Sequence, residues 1–268
     1  MPAQSVLEYA SHTDIGLVRS HNEDAIVICP EAGFAVLADG MGGYNAGEIA
    51  SQMSVDLISE RLKNQQANTW LPRLPWQASS PERWINEAVT FANQKILEKA
   101  SENPDNTGMG TTIVVAVSYY DRLIIGHVGD SRAYRLREQR LEQITHDHSV
   151  LQSQIDAGLI SLADAQFSPI KNLITRAVGS HEEVEVEVRE HQMQEGDIYM
   201  LCSDGLTDML DQLQLQQVLR ELGHDLQMCC DTLIYLANRH GGLDNISVVL
   251  FRVNQLHERS LMEYIFAS

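Results

Sequence analysis

Four aspartates stand where apolar runs give out. Phe34-Ala35-Val36-Leu37-Ala38 delivers Asp39 and is followed by Gly40-Met41-Gly42-Gly43. Ile198-Tyr199-Met200-Leu201-Cys202-Ser203 ends in Asp204-Gly205, Val128-Gly129 runs into Asp130, and Asp244 precedes the apolar run Ile246 to Val253. Short apolar runs bounded by glycine read as buried strands, so this spacing places four carboxylates at strand ends, as a shared acidic site with Asp39 foremost. Asp-Gly after an apolar run is also a hairpin signal, but a second strand should then follow at once; the pattern instead turns helical near Glu48. The glycines could cradle a phosphate. However, the dinucleotide pattern wants Gly or Ala at Asn45, and no Lys-Ser or Lys-Thr follows as in a P-loop.

The elements that must hold these carboxylates follow from periodicity. Val6 to Ala10 and Ala25 to Ile28 read as short strands around a polar loop carrying Arg19 and Asp24. Ile49, Met53, Leu57, Ile58 and Leu62 recur at helical spacing, as do Ile85, Ala88, Val89, Ala92 and Ile96 behind the Ser80-Pro81 start signal. Between them, residues 64 to 80 hold Trp70, Pro72, Pro75 and Trp76 in an irregular connection. Thr112 to Val117, Leu123 to Val128, Ala133 to Leu136 and a run near Leu141 form a meander. Glu183 to Glu187 alternates with Val184 and Val186, predicting a strand whose glutamates face solvent. Leu213 to Leu222 and Leu226 to Asn238 read as helices, the second stopped at Gly241. Strands and helices come in blocks, which predicts an α+β fold of mostly antiparallel sheets.

Composition narrows the function. Among 268 residues, 37 are acidic and 19 basic, a formal net charge of -18, which argues against nucleic-acid binding. Met1-Pro2-Ala3-Gln4 carries no signal pattern, and no apolar run reaches the ~18 residues of a membrane span; a soluble, cytoplasmic protein with no membrane partner is expected. Cys29, Cys202, Cys229 and Cys230 lack metal-site spacing and read as reduced core thiols.

Taken in order, Thr13-Asp14-Ile15-Gly16-Leu17-Val18-Arg19, Asn22-Glu23-Asp24, Ala38-Asp39-Gly40-Met41-Gly42-Gly43, Gly108-Met109-Gly110-Thr111-Thr112, Gly129-Asp130-Ser131-Arg132, Thr145-His146-Asp147-His148-Ser149, Ser203-Asp204-Gly205-Leu206 and Asp244-Asn245-Ile246-Ser247-Val248-Val249 resemble the metal-dependent serine/threonine phosphatases of type 2C (the PPM family), in particular their compact bacterial branch. The resemblance covers nearly the whole chain and implies one catalytic domain over residues 1–268, a four-layer α-β-β-α sandwich with a flap at about 146–172.

It further implies hydrolysis of phosphoserine and phosphothreonine in proteins by a metal-activated water, reversing a cognate Ser/Thr kinase in bacterial signalling. Asp39 matches the residue that bridges two metal ions, and the Gly40 carbonyl matches a ligand of the first. Asp204 and Asp244 match ligands of the second. Asp24, beside Glu23, matches the acidic pair that holds metal-bound waters, and Asp130 matches a ligand of a weaker third ion. Such oxygen ligands suit Mn2+ or Mg2+. Arg19 matches the arginine that grips the phosphate. The family's histidine after Asp-Gly is Met41 here, and the bacterial histidine after Gly42-Gly43 is Tyr44, so the general acid is open; His127 and His148 are candidates, as is a metal-bound water. The family's basic stretch near the flap's end is altered to Ser168-Pro169-Ile170-Lys171. The competing reading is a non-catalytic phosphoprotein-binding module of the same fold, which would be expected to have lost ligands; every matching position is retained.

Overall fold

The computed structural model describes residues 5–43, 46–67, 80–161, 164, 168, 170 and 173–257. Among these residues eleven strands build two antiparallel sheets. The first has the order β1 (Val6–Asp14), β11 (Ile246–Gln255), β10 (Ile198–Cys202), β7 (Arg132–Arg137), β8 (Arg140–Gln143). The second runs β2 (Asp24–Cys29), β3 (Phe34–Met41), β5 (Ile113–Tyr119), β6 (Arg122–Val128), β9 (Glu187–Gln192), with the short β4 (Gly110–Thr111) added to the end of β3. Helices α1 (Ala46–Ala67) and α2 (Pro81–Glu102) pack on the second sheet, and α5 (Gln212–Leu222) and α6 (Leu226–Arg239) on the first. The described residues also form two short α-helices, α3 (Val150–Asp156) and α4 (Asp204–Thr207). The four-layer α+β sandwich is therefore as expected.

Three apolar layers hold it together. On β3, Phe34, Val36 and Ala38 face the α1–α2 layer, while Ala35 and Leu37 face the other sheet, where they meet Tyr199, Leu201, Val249 and Phe251. A strand covered on both faces has no polar side to present, which is why β3 and β5 read as continuous apolar runs rather than alternating ones. Met200, Cys202, Leu215, Leu219, Cys230 and Leu233 form the third layer, beneath α5 and α6. All four cysteines are buried and free. Among the described residues, no helix is long and apolar enough to cross a membrane.

The structure revises three local expectations. β3 does not end at Asp39: it continues through Gly40 to Met41, because Gly40 and Met41 pair with Thr111 and Gly110. The strand expected at 183–187 starts at Glu187; Val184 and Val186 pack on the helical layer instead. The cap after α6 is His240 rather than Gly241. Ser80 does occupy the N-cap of α2, without a side-chain cap bond. Tyr44, Trp70, Pro72, Pro75, Trp76, Pro169 and Lys171, and the tail from Glu258, lie outside the described residues, as does part of the segment 146–172 expected to form a flap.

Candidate active site

Antiparallel pairing gathers the acidic residues at one end of the sandwich. In the first sheet Cys202 pairs with both Arg132 and Val248, so Asp130 (two residues before β7), Asp204 (two after β10) and Asp244 (two before β11) emerge at the same edge. In the second sheet Asp24 and Asp39 are register partners. By strand alternation Asp39 continues the Ala35–Leu37 row, which places its carboxylate at the mouth of the inter-sheet layer. All five sequence-predicted aspartates thus meet.

Such an arrangement is costly by itself. Like charges directly opposite on neighbouring strands destabilise a sheet, and here three more carboxylates face them. Burial, reinforced by the charges of Asp204 and Asp244 against hydrogen bonds from Ser247 and Ser203, pushes Asp24 up to about 7. Burial, with Asp204 and Asp147 nearby, pushes Asp130 up to about 7. Burial and the charges of Asp208 and Asp244 push Asp204 up to about 6. Asp39 is driven well above the ordinary carboxylate range by burial and by Asp24, Asp204, Asp130 and Asp244. Asp24 accepts a bond from Ser203 Oγ at 2.8 Å through Oδ2, whereas its buried Oδ1 has no partner. Clustered carboxylates with an unpartnered buried oxygen are a hard-oxygen donor set, and they fit divalent cations.

The surrounding motifs fix this edge. Asn245 is the staple of the Arg19 loop: its Oδ1 accepts from the Glu23 amide at 2.8 Å, and its Nδ2 donates to the Ile15 and His21 carbonyls, both at 2.9 Å. Arg19 itself donates through Nη2 to Asp244 Oδ2 at 2.6 Å, so it sits at the site but against a carboxylate. Arg132 grips Asp147 with Nε and Nη2, the shorter bond 2.6 Å. Thr112 Oγ1, 2.7 Å from Ser131 Oγ, receives the Asp39 amide at 3.3 Å.

His127 and His148 are committed to the scaffold. Their rings stack with centroids 4.5 Å apart at 15°. His148 clamps the Asp130 loop twice: its amide donates to the Gly129 carbonyl at 2.9 Å, and its Nδ1 accepts the Gly129 N–H at 3.2 Å. Its Nε2 lies 3.3 Å from both Glu187 Oε2 and Arg176 Nη1. His127 Nε2 lies 2.8 Å from the His146 carbonyl and donates to it. Burial lowers both histidines, His148 to about 4, so neither carries a spare proton to a leaving group. Together with Glu187 they form the one three-residue group among the described residues whose ligand atoms fall within 4.8 Å of one another. The parallel rings and engaged nitrogens speak against a metal there. Glu187, read from the alternation as solvated, is the residue that pattern misplaced: it is only 24 % exposed and also pairs with Arg189.

One pH prediction arises here. A carboxylate raised above its unfolded value of ~3.9 makes the folded chain bind more protons than the unfolded one between about pH 4 and 7. Stability of the cation-free protein therefore falls as pH rises through that window. A divalent cation such as Mn2+ that binds the ionised folded form would reverse the loss. Melting curves in EDTA should drop from pH 5 to 7, and Mn2+ should raise the melting temperature more at pH 7 than at pH 5. A Mn2+ effect that shrinks with rising pH would contradict the crowding.

Comparison with known proteins agrees with this geometry. The family model described as Protein phosphatase 2C matches residues 11–233, a span that ends before Asp244. The serine/threonine phosphatase stp of Listeria innocua is 36% identical over 254 residues, covering 94% of this chain and 95% of that protein. The crystal structure of the Mycobacterium tuberculosis serine/threonine phosphatase PstP/Ppp superposes with a TM-score of 0.83 at 35% identity, over 93% of this chain and 100% of that one. The catalytic domain of PstP in complex with two manganese ions gives 0.81 at 35% identity, over 93% and 99%. Sequence, sheet order and the meeting of the acidic motifs at one edge place this chain in the protein phosphatase 2C family.

Proposed function

We propose that the chain is one catalytic domain that hydrolyses phosphoserine and phosphothreonine in proteins at a site built for divalent cations, Mn2+ or Mg2+. The observation that carries this reading is the like-charge register pair Asp24–Asp39, faced by Asp130, Asp204 and Asp244, which calls for positive charge. Asp39 and the Gly40 carbonyl would hold one ion, Asp39 with Asp204 and Asp244 a second, and Asp130 with Asp204 a weaker third. When bound, the ions would neutralise the acidic cluster, admit a phosphate dianion and lower the pKa of a water for attack on phosphorus. The relatives' names support protein substrates phosphorylated on serine or threonine; a Ser/Thr kinase would be the opposing enzyme, in cytoplasmic signalling. The retained carboxylates favour catalysis over a binding-only module.

The chain's own residues do the rest. Arg19, half-exposed beside Asp244, is placed to swing its planar fork onto phosphate oxygens. Ser203, which accepts the Ser247 amide, holds Asp24 in position, and the Arg132–Asp147 and His148–Gly129 links fix the Asp130 loop. With both histidines neutral and engaged, the leaving oxygen takes its proton from water.

The experiment is phosphate release from a phosphothreonine peptide with Mn2+, in the parent and in Arg19→Ala. We expect Arg19→Ala to lose roughly 1.5–3 kcal/mol in kcat/KM, about tenfold to a hundredfold. Mn2+ affinity should hold or rise, because Asp244 is released. Loss of Mn2+ binding without a kinetic defect would reassign Arg19, and absence of phosphate release from the parent would refute the function.

A further inference from the structure

The rim beside Arg19 carries three large apolar side chains open to solvent. Leu17 is 68% exposed, Val18 64% and Leu243 57%. They come from two segments that are locked together. The Leu17 amide donates to the Gly242 carbonyl at 2.7 Å, and Asn245 holds the Ile15 carbonyl. A methyl group added at Gly242 would lie 3.0 Å from Leu17 Cγ, and one at Gly241 3.6 Å from Leu243 Cγ and 3.7 Å from Met209 Sδ. Leu17, the two glycines, Leu243 and Met209 therefore form one continuous ledge. Its ends touch the site, because Val18 precedes Arg19 and Leu243 precedes Asp244, and those two residues are paired.

We infer that this ledge selects substrates: it receives a bulky aliphatic side chain next to the phosphorylated residue, on an extended segment of the substrate protein. The inference rests on the phosphatase reading and adds the class of sequence recognised. Two observations favour this occupant. The ledge is continuous with the Arg19–Asp244 pair, so a substrate segment whose phosphate lies at Arg19 has the ledge directly beside it. The two segments are pinned by backbone bonds, so little ordering entropy is lost on contact. A second copy of the chain is a poorer occupant, since a stable dimer buries ~800 Å² per partner, more than three side chains supply.

The test compares three phosphothreonine peptides that carry leucine, serine or lysine on both sides of the phosphoresidue, with p-nitrophenyl phosphate as the flank-free substrate, all with Mn2+. Discrimination by a single apolar contact is roughly tenfold or more in kcat/KM, so the parent should prefer the leucine peptide over the serine peptide by about tenfold. Leu17→Ser with Leu243→Ser should abolish that preference and leave p-nitrophenyl phosphate turnover unchanged. Equal rates on the leucine and serine peptides in the parent, a preference that survives the double substitution, or a stronger preference for lysine flanks would each overturn the inference. A parent that is dimeric by light scattering and monomeric after the double substitution would assign the ledge to self-association and overturn it too. If p-nitrophenyl phosphate itself is not hydrolysed, the phosphatase reading fails first.

Discussion

Asp39→Asn is expected to lower turnover by roughly 10³-fold, the upper end of what removal of one preorganised electrostatic group costs, while the protein becomes no less stable without metal. The two effects have one cause. Asp39 stands opposite Asp24 in the register of β2 and β3, where it feels the charges of Asp24, Asp204, Asp130 and Asp244. An amide of the same shape removes one of the crowded charges, so the melting temperature in EDTA at neutral pH should hold or rise. The same amide is a poor bridge between cations, so Mn2+ binding by calorimetry should weaken sharply. A variant that keeps its rate would remove Asp39 from the site. One that loses rate only because it unfolds would leave the role undecided by kinetics, and the EDTA melt separates that case directly.

Gly40→Ala should be nearly as severe by a different route. A Cβ at Gly40 would lie 2.2 Å from the Gly47 carbonyl oxygen and 2.6 Å from that of Glu23. Both obstacles are backbone, one in the first turn of α1 and one in the loop before β2, so no side chain can swing aside. The strand must shift, and with it the Gly40 carbonyl and the neighbouring Asp39. Overpacking of this kind costs about 1–3 kcal/mol of stability, and a displacement of about 1 Å at a catalytic centre costs on the order of 10²-fold in rate. Gly43→Ala is the control, since nothing lies within 4 Å of a Cβ there. A Gly40→Ala enzyme with parental kcat/KM would show that the close approach of α1 to β3 does not set the position of Asp39.

What the sequence made legible was set by periodicity and by glycine. The continuous apolar runs of β3, β5 and β10 announced doubly covered strands, and the aspartates at their ends announced a shared site. The long helices α1 and α2 could be read from apolar spacing; the start of α3 is fixed by Ser149, whose Oγ accepts the Gln152 amide at 3.0 Å. Other features were hidden because they depend on tertiary pairing. Asp39 looked like a strand terminus, since nothing local reveals that Thr111 and Gly110 extend β3 past it. Glu187 looked solvated because a period of two cannot show which strand lies alongside, and β6 places its carboxylate against His148. The roles of Asn245, Ser203 and Ser247 were equally invisible: their motifs were recognisable, but the bonds they make to Ile15, His21 and Asp24 span more than 170 residues of chain.

The central claim is that the gathered carboxylates exist to hold cations that the chemistry needs. Its most direct test is turnover of a phosphothreonine peptide as free Mn2+ is raised from full chelation, with binding followed by calorimetry on the same protein. We predict no turnover under complete chelation, recovery on adding Mn2+ back, and a rate that rises with the occupancy measured by calorimetry. Turnover that persists under complete chelation would contradict the account.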